Sequence, residues 1–138
     1  MLQTKKLLRG IAQINIAADD VAAVRDWYTL VLGIEPYFQR PNSDAPAYVE
    51  FRLGDREHEL GIIDRRYLPA SSSAAPAGVI ARWHVDDIDG VFQHLIENGA
   101  TQFEPVTPRE SGFATASVLD PFGNILGLIH SPHYAEFG

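Results

Sequence analysis

The chain has 138 residues, is 46% hydrophobic and carries a net charge of −7. That is the length and apolar content of one folded domain needing no covalent staples. Such an acidic balance disfavours nucleic acid, which requires a basic face. The absence of cysteine removes disulfide and thiolate chemistry. No stretch approaches the roughly 20 apolar residues of a membrane span. The first ten residues, MLQTKKLLRG, lack the apolar run of a signal peptide, so a cytoplasmic protein is expected.

Residues 11–16 alternate apolar with polar or small side chains, which predicts a strand packed on one face. Asp19 or Asp20 then caps a helix in which Val21, Val24, Trp27, Tyr28 and Val31 form an apolar stripe ending at Gly33. A short strand is expected over 35–40, a turn-rich segment over 41–46, and strands over 47–53 and 57–63 around Gly54-Asp55. The linker is rich in Ser, Ala and Pro. A strand follows over 79–85. Asp86 or Asp87 caps a second helix that Asn98-Gly99 terminates. Residues 101–104 are short and extended, and strands over 113–119 and 125–130 flank Asp120-Pro121-Phe122-Gly123-Asn124. The tail after Pro132 is expected to be loose or to lie against a partner chain.

The chain repeats itself. Residues 53–64 read LGDREHELGIID and, 66 positions later, residues 119–130 read LDPFGNILGLIH. The acidic helix openings recur 67 positions apart. Such a period implies two copies of one supersecondary unit. The predicted fold is α+β: two tandem βαβββ units, 9–66 and 79–131, joined by a linker over 67–78 within one domain spanning 1–138. Their curled mixed sheets enclose a central cavity, a shape that favours ligands. Strand alternation turns Leu60, Ile62, Ala81, Trp83 and Val85 to the helices. It turns Gln13, Asn15, Glu57, Glu59, Gly61, Ile63, Ile80, Arg82, His84, Ile125, Gly127 and Ile129 to the cavity.

The helix from Asp20 through Trp27-Tyr28 to Val31-Leu32-Gly33, together with the Asp120-Pro121-Phe122-Gly123-Asn124 turn, resembles two motifs of the vicinal oxygen chelate superfamily. That superfamily includes glyoxalase I, bleomycin-resistance proteins, extradiol dioxygenases and fosfomycin-resistance enzymes. The resemblance covers essentially the whole chain. It implies a divalent metal between the units in members that do chemistry, held by one residue on the first strand and one on the last strand of each unit. Matched by position, those sites fall on Gln13, Ile80, Gly61 and Gly127. Three of the four offer no side-chain donor, and one neutral amide does not hold a divalent ion. A displaced site from Gln13, Glu59 and His84 is disfavoured, since His84 lies about 13 Å along the strand from Ile80 at roughly 3.3 Å per residue. No metal or other cofactor is expected.

Two functional readings lead, beside a blander third in which the chain is an interaction module with a vestigial cavity. One is metal-independent binding that sequesters a drug-like or metabolite ligand, as the resemblance to bleomycin-resistance proteins implies, in a cavity that glycine at Gly61 and Gly127 enlarges. Gln13, Asn15, Glu59, Arg82 and His84 would supply its polar groups, Ile80 and Ile125 its apolar ones. An acidic protein suits a basic, drug-like ligand. The alternative is a glyoxalase-like lyase or isomerase, or a dioxygenase-related enzyme, with Glu59 and His84 as acid–base candidates. Against function, Arg82 and His84 could simply pair with Glu57 or Glu59, and Glu59 could be an exposed carboxylate. Trp27, Tyr28 and Trp83 are expected in the core, with Tyr48, Phe51 and Phe113 on middle strands where some line the cavity. Arg65-Arg66-Tyr67 reads as a cavity gate or as solvated charge. Relatives often dimerise, so a homodimer is expected, with the cavity formed within one chain or by two exchanged chains.

Overall fold

The computed structural model describes residues 7–69 and 78–137. The first six residues and most of the expected linker lie outside the described residues. In the first unit, β1 (Gln13–Ala18), α1 (Val21–Leu32), β2 (Phe38–Arg40), β3 (Tyr48–Leu53) and β4 (His58–Asp64) build a sheet of order β1-β4-β3-β2. The second unit comprises β5 (Arg82–His84), α2 (Ile88–Glu97), β6 (Thr101–Pro108), β7 (Ala114–Leu119) and β8 (Ile125–His130). Its sheet has the equivalent order β5-β8-β7-β6. In each sheet the first strand runs parallel to the last, and the remaining pairs are antiparallel.

Alternation decides which face is buried. Val49 and Phe51 on β3, Leu60 and Ile62 on β4, Ala116 and Val118 on β7, and Leu126 and Leu128 on β8 point inward. They meet Val21, Val24, Tyr28 and Val31 of α1 and Ile88 and Leu95 of α2, so both units share one apolar core. Asp20 and Asp87, rather than Asp19 and Asp86, cap the helices, accepting from the amides of Ala23 and Gly90. Gly33 ends α1 with a left-handed φ of 70°.

Several boundaries differ from expectation. β2 begins at Phe38, although the Tyr37 amide already donates to the Glu50 carbonyl of β3 at 2.8 Å. Glu57 stays outside β4, in a turn with φ of 52°. β5 covers only 82–84 of the expected 79–85; ahead of it the Ile80 side chain packs against Gly127. β6 extends to Pro108, carrying register shifts around Glu104; Pro105 within it has no amide to donate. The tail is not loose: it forms α3 (Pro132–Phe137), opened by Ser131, whose Oγ accepts from the Tyr134 amide, with Pro132 at the first helical position.

The two helices meet across the unit boundary. Trp27 Nε1 donates to the Asn98 carbonyl at 2.7 Å, and His94 Nε2–H donates to the Val31 carbonyl at 2.9 Å. Asn124 Nδ2 donates to the Ala17 carbonyl at 3.0 Å. These bonds set the sheets in one arrangement and leave a cleft beside β1 and β5.

Candidate functional site

The cleft has a volume of about 730 Å3. The first unit lines it with residues from β1, the β3–β4 turn and the start of β4, including Gln13, Asp55 and Glu59. The second unit contributes Arg82, Trp83 and His84 from β5, and Tyr134 from α3. A second hollow of about 570 Å3 lies on the open face of the first sheet, bordered by Gln13, Asn15, Phe38, Arg40, Tyr48 and Glu50 among others.

Gln13 stands between the two. Its Nε2 donates to Tyr48 Oη at 2.8 Å, Glu59 Oε1 at 3.1 Å and Glu50 Oε1 at 3.3 Å. Tyr48 in turn donates to Glu50 Oε1 at 2.9 Å. Desolvation, then the hydrogen bond and charge of Glu50, push the Tyr48 phenol well above its ordinary value, so it remains a proton donor. Arg52 reaches Glu59 Oε2 at 3.7 Å while lying over the Tyr37 ring, also at 3.7 Å.

In the second unit the Arg82 side chain crosses its sheet. It pairs with Gly127 in register, then donates to the Ala116 carbonyl at 3.0 Å and to Glu104 Oε1 at 2.9 Å. Ser117, fully buried, donates to the same Glu104 oxygen at 2.7 Å. That hydrogen bond, then the one from Arg82, hold the Glu104 carboxyl below the usual range. His84 accepts the Ser131 amide at Nδ1 and meets Asp86 Oδ1 at 3.1 Å through Nε2. Arg82 and His84 therefore pair with Glu104 and Asp86, not with Glu57 or Glu59.

Of the residues expected at the cavity, Gln13, Glu59, Arg82, His84 and Ile129 border the cleft, and Gln13, Asn15 and Ile63 border the hollow. Gly61, Ile80, Ile125 and Gly127 border neither. The glycines do not enlarge the cavity. A Cβ at Gly61 would strike Asn15 Oδ1 and lie 2.7 Å from Tyr48 Oη; one at Gly127 would strike the Ala81 carbonyl and lie 2.8 Å from Ile80 Cγ2. Glycine occurs there because neighbouring groups already fill the space. Phe51 is fully buried, and Phe113 packs edge-on against His133. Arg65 pairs with Asp19 and Arg66 with Asp64.

The strand register also places Glu59 beside Gln13, while Gly61 lies beside Asn15. In the second unit the register places Arg82 beside Gly127. By the internal repeat, the counterparts of Gln13 and Glu59 in the second unit are the hydrocarbons Ile80 and Ile125. Gln13 Nε2, the Tyr48 hydroxyl and one carboxylate oxygen each of Glu50 and Glu59 hydrogen-bond with one another, and both His84 nitrogens are engaged. Among the described residues no three His, Cys, Asp or Glu side chains converge as a metal site would require.

Sequence reasoning missed Tyr134, Asp55 and Asp86 at the cleft and Glu50 at the hollow. Trp83 packs against the core as expected, yet also borders the cleft. No periodicity marks such residues; the clustering of Trp83 and His84 on one short strand was the available signal.

The chain belongs to the glyoxalase/bleomycin resistance protein/dioxygenase superfamily, whose family model matches residues 10–128. No curated protein matches it significantly. Among solved structures it is similar to protein ATC0852 from Agrobacterium tumefaciens, with 19% identity and a TM-score of 0.71, covering 89% of this chain and 98% of that one. It also resembles a glyoxalase-related enzyme from Fulvimarina pelagi, with 17% identity and a TM-score of 0.70, covering 91% and 90%. TioX from Micromonospora sp. ML1 has 18% identity and a TM-score of 0.65, covering 88% and 98%. At these identities the likeness establishes the fold alone. No described helix is long and apolar enough to cross a membrane.

Proposed function

We propose that this protein binds a cationic small molecule with an apolar, ring-bearing body in the inter-unit cleft, without a metal ion and without turning it over. The observation that carries this reading is the lining of the cleft. Trp83 and Tyr134 offer aromatic surface, and the carboxylates of Asp55, Glu59 and Asp86 border the same space. Among the described residues, the arginine bordering it, Arg82, is already neutralised by Glu104. The volume suits a drug-sized molecule, for which pockets span about 300–1,000 Å3. Aromatic faces and carboxylates both attract an organic cation, and the net charge of −7 draws one in from a distance.

The alternative, acid–base catalysis by Glu59 and His84, has weaker support: both His84 nitrogens hold structural hydrogen bonds. The same reading takes the protein to be a cytoplasmic homodimer.

Thermal unfolding against a panel of aromatic amines, cationic antibiotics and matched neutral analogues tests the proposal. A true ligand at 100 times its dissociation constant adds about 2.7 kcal/mol. Cations are expected to stabilise and their neutral analogues to do so less. No stabilisation by any cation would refute the ligand class. One equivalent of tightly held transition metal in the purified protein would refute metal independence.

A further inference from the structure

The cleft is bordered on one side by α3, and α3 is seated on both units. The Tyr134 ring stacks on the His84 imidazole, with centroids 4.7 Å apart and planes 20° from parallel. Its hydroxyl reaches the other unit, donating to Asp55 Oδ2 at 3.3 Å in the β3–β4 turn. Ser131, where α3 begins, donates its backbone N–H to His84 Nδ1 at 3.1 Å. An amide N–H only donates, so Nδ1 must carry a lone pair. The imidazole proton therefore sits on Nε2, facing Asp86 Oδ1 at 3.1 Å. This closed arrangement requires a neutral His84.

We propose that α3 is a lid over the inter-unit cleft and that the neutral His84 imidazole is its proton-sensitive catch. Protonation would place an N–H at Nδ1 against the Ser131 N–H. The seat would then lose a hydrogen bond and gain a repulsion between two donors, at the residue from which α3 starts. Asp86 favours the imidazolium, but its side chain is 97% exposed and water screens it. The His130 ring, 5.4 Å away, opposes a second positive charge when it is itself protonated. Tyr134 contributes a neutral face, and Asp55 acts through the Tyr134 hydroxyl. Glu59, His58 and Arg82 border the same cleft from its walls. Acidification thus opens the cleft and releases what it holds. The inference rests on the cleft being the binding site, yet the lid's motion is measurable with no ligand present.

Amide hydrogen exchange on the unliganded full chain, corrected for intrinsic rates, reads the lid directly at about pH 8 and about pH 5, spanning the range in which imidazoles titrate. Protection at Ser131, Tyr134 and Ala135 is expected to fall about tenfold at the lower pH, the worth of one hydrogen bond. In His84→Asn, whose amide oxygen supplies an acceptor that does not titrate, it should not fall. Tyr134→Phe, which removes only the tie to Asp55, should lower protection at both pH values. Acrylamide quenching of Trp83 in a Trp27→Phe background should rise on acidification. Unchanged wild-type protection, a fall shared equally by the β-strands, or a fall retained in His84→Asn would each overturn the catch. Unprotected α3 amides at both pH values would overturn the lid itself.

Discussion

Tyr28 on α1 donates its phenolic hydrogen to Asp120 Oδ2 at 2.8 Å, joining residues 92 positions apart. The Trp-Tyr pair and the Asp-Pro-Phe-Gly-Asn turn, which carry the sequence resemblance, are therefore in contact. Oδ1 of the same aspartate holds the turn, accepting from the Phe122 and Asn124 amides. Tyr28→Phe is expected to cost about 2 kcal/mol, the worth of a buried hydrogen bond to a charged group. Urea unfolding measures this.

Burial, then the charge and hydrogen bond of Asp120, raise the Tyr28 phenol well above its ordinary value. The folded state therefore holds this proton more tightly than the unfolded chain does. The associated stability is fully present below about pH 10, where an unfolded tyrosine ionises, and is lost as pH rises beyond it. The stability gap between wild type and Tyr28→Phe should narrow above that pH. A gap that stayed constant would remove Tyr28 as the source.

The two strand glycines should respond unequally to alanine. At Gly127 the obstruction includes the backbone carbonyl of Ala81, which cannot step aside without moving β5. At Gly61 it consists of side chains alone: Asn15, which can rotate away, and the Tyr48 ring, which is tied to Gln13 and Glu50 but can shift without moving a strand. Gly127→Ala should cost about 3 kcal/mol or more and Gly61→Ala about 1 kcal/mol, within the range for overpacking. Equal losses in chemical denaturation would contradict this contact geometry.

Glu104 links β6 to Arg82 and to buried Ser117. Its carboxyl is held below the ordinary glutamate value, so its contribution is present above about pH 4.3 and is lost as pH falls through the depressed folded value. Glu104→Gln should cost about 1 kcal/mol at neutral pH and flatten that part of the acid limb. A stability–pH profile settles it; an unaltered acid limb would show that Glu104 plays no part in it.

For ligands found in the thermal screen, Glu59→Gln should weaken cations about tenfold, the worth of one charge-assisted hydrogen bond, and spare neutral analogues. Trp83→Ala should weaken both through lost aromatic area. Isothermal titration separates the two patterns. If Glu59→Gln left cation affinity unchanged, Glu59 would not be the charge that is read.

The helices, the strands around Gly54-Asp55 and around 120–124, and the doubled plan were all legible in the sequence, because each is written in local periodicity and turn chemistry. The ends of β5 and β6 were not, since strand ends depend on which neighbour is available for pairing. α3 escaped notice because Ser131-Pro132 opens a helix too short to establish a period. The candidate site was half legible. Alternation placed Gln13, Glu59, Arg82 and His84 on the open faces, but the same rule placed Gly61 and Gly127 there without revealing that Asn15, Tyr48, Ile80 and Ala81 cover them.

By itself the sequence determined a repeated βαβββ architecture, its helix caps and its apolar faces, since those follow from interactions within a few residues or from a period of two or 3.6. Only the tertiary structure decided that Glu59 stands beside Gln13, that Arg82 turns away to Glu104, and that α3 reaches over to Asp55. Those outcomes depend on strand register and on the angle between two sheets, which are set by contacts as distant in the chain as Tyr28 and Asp120.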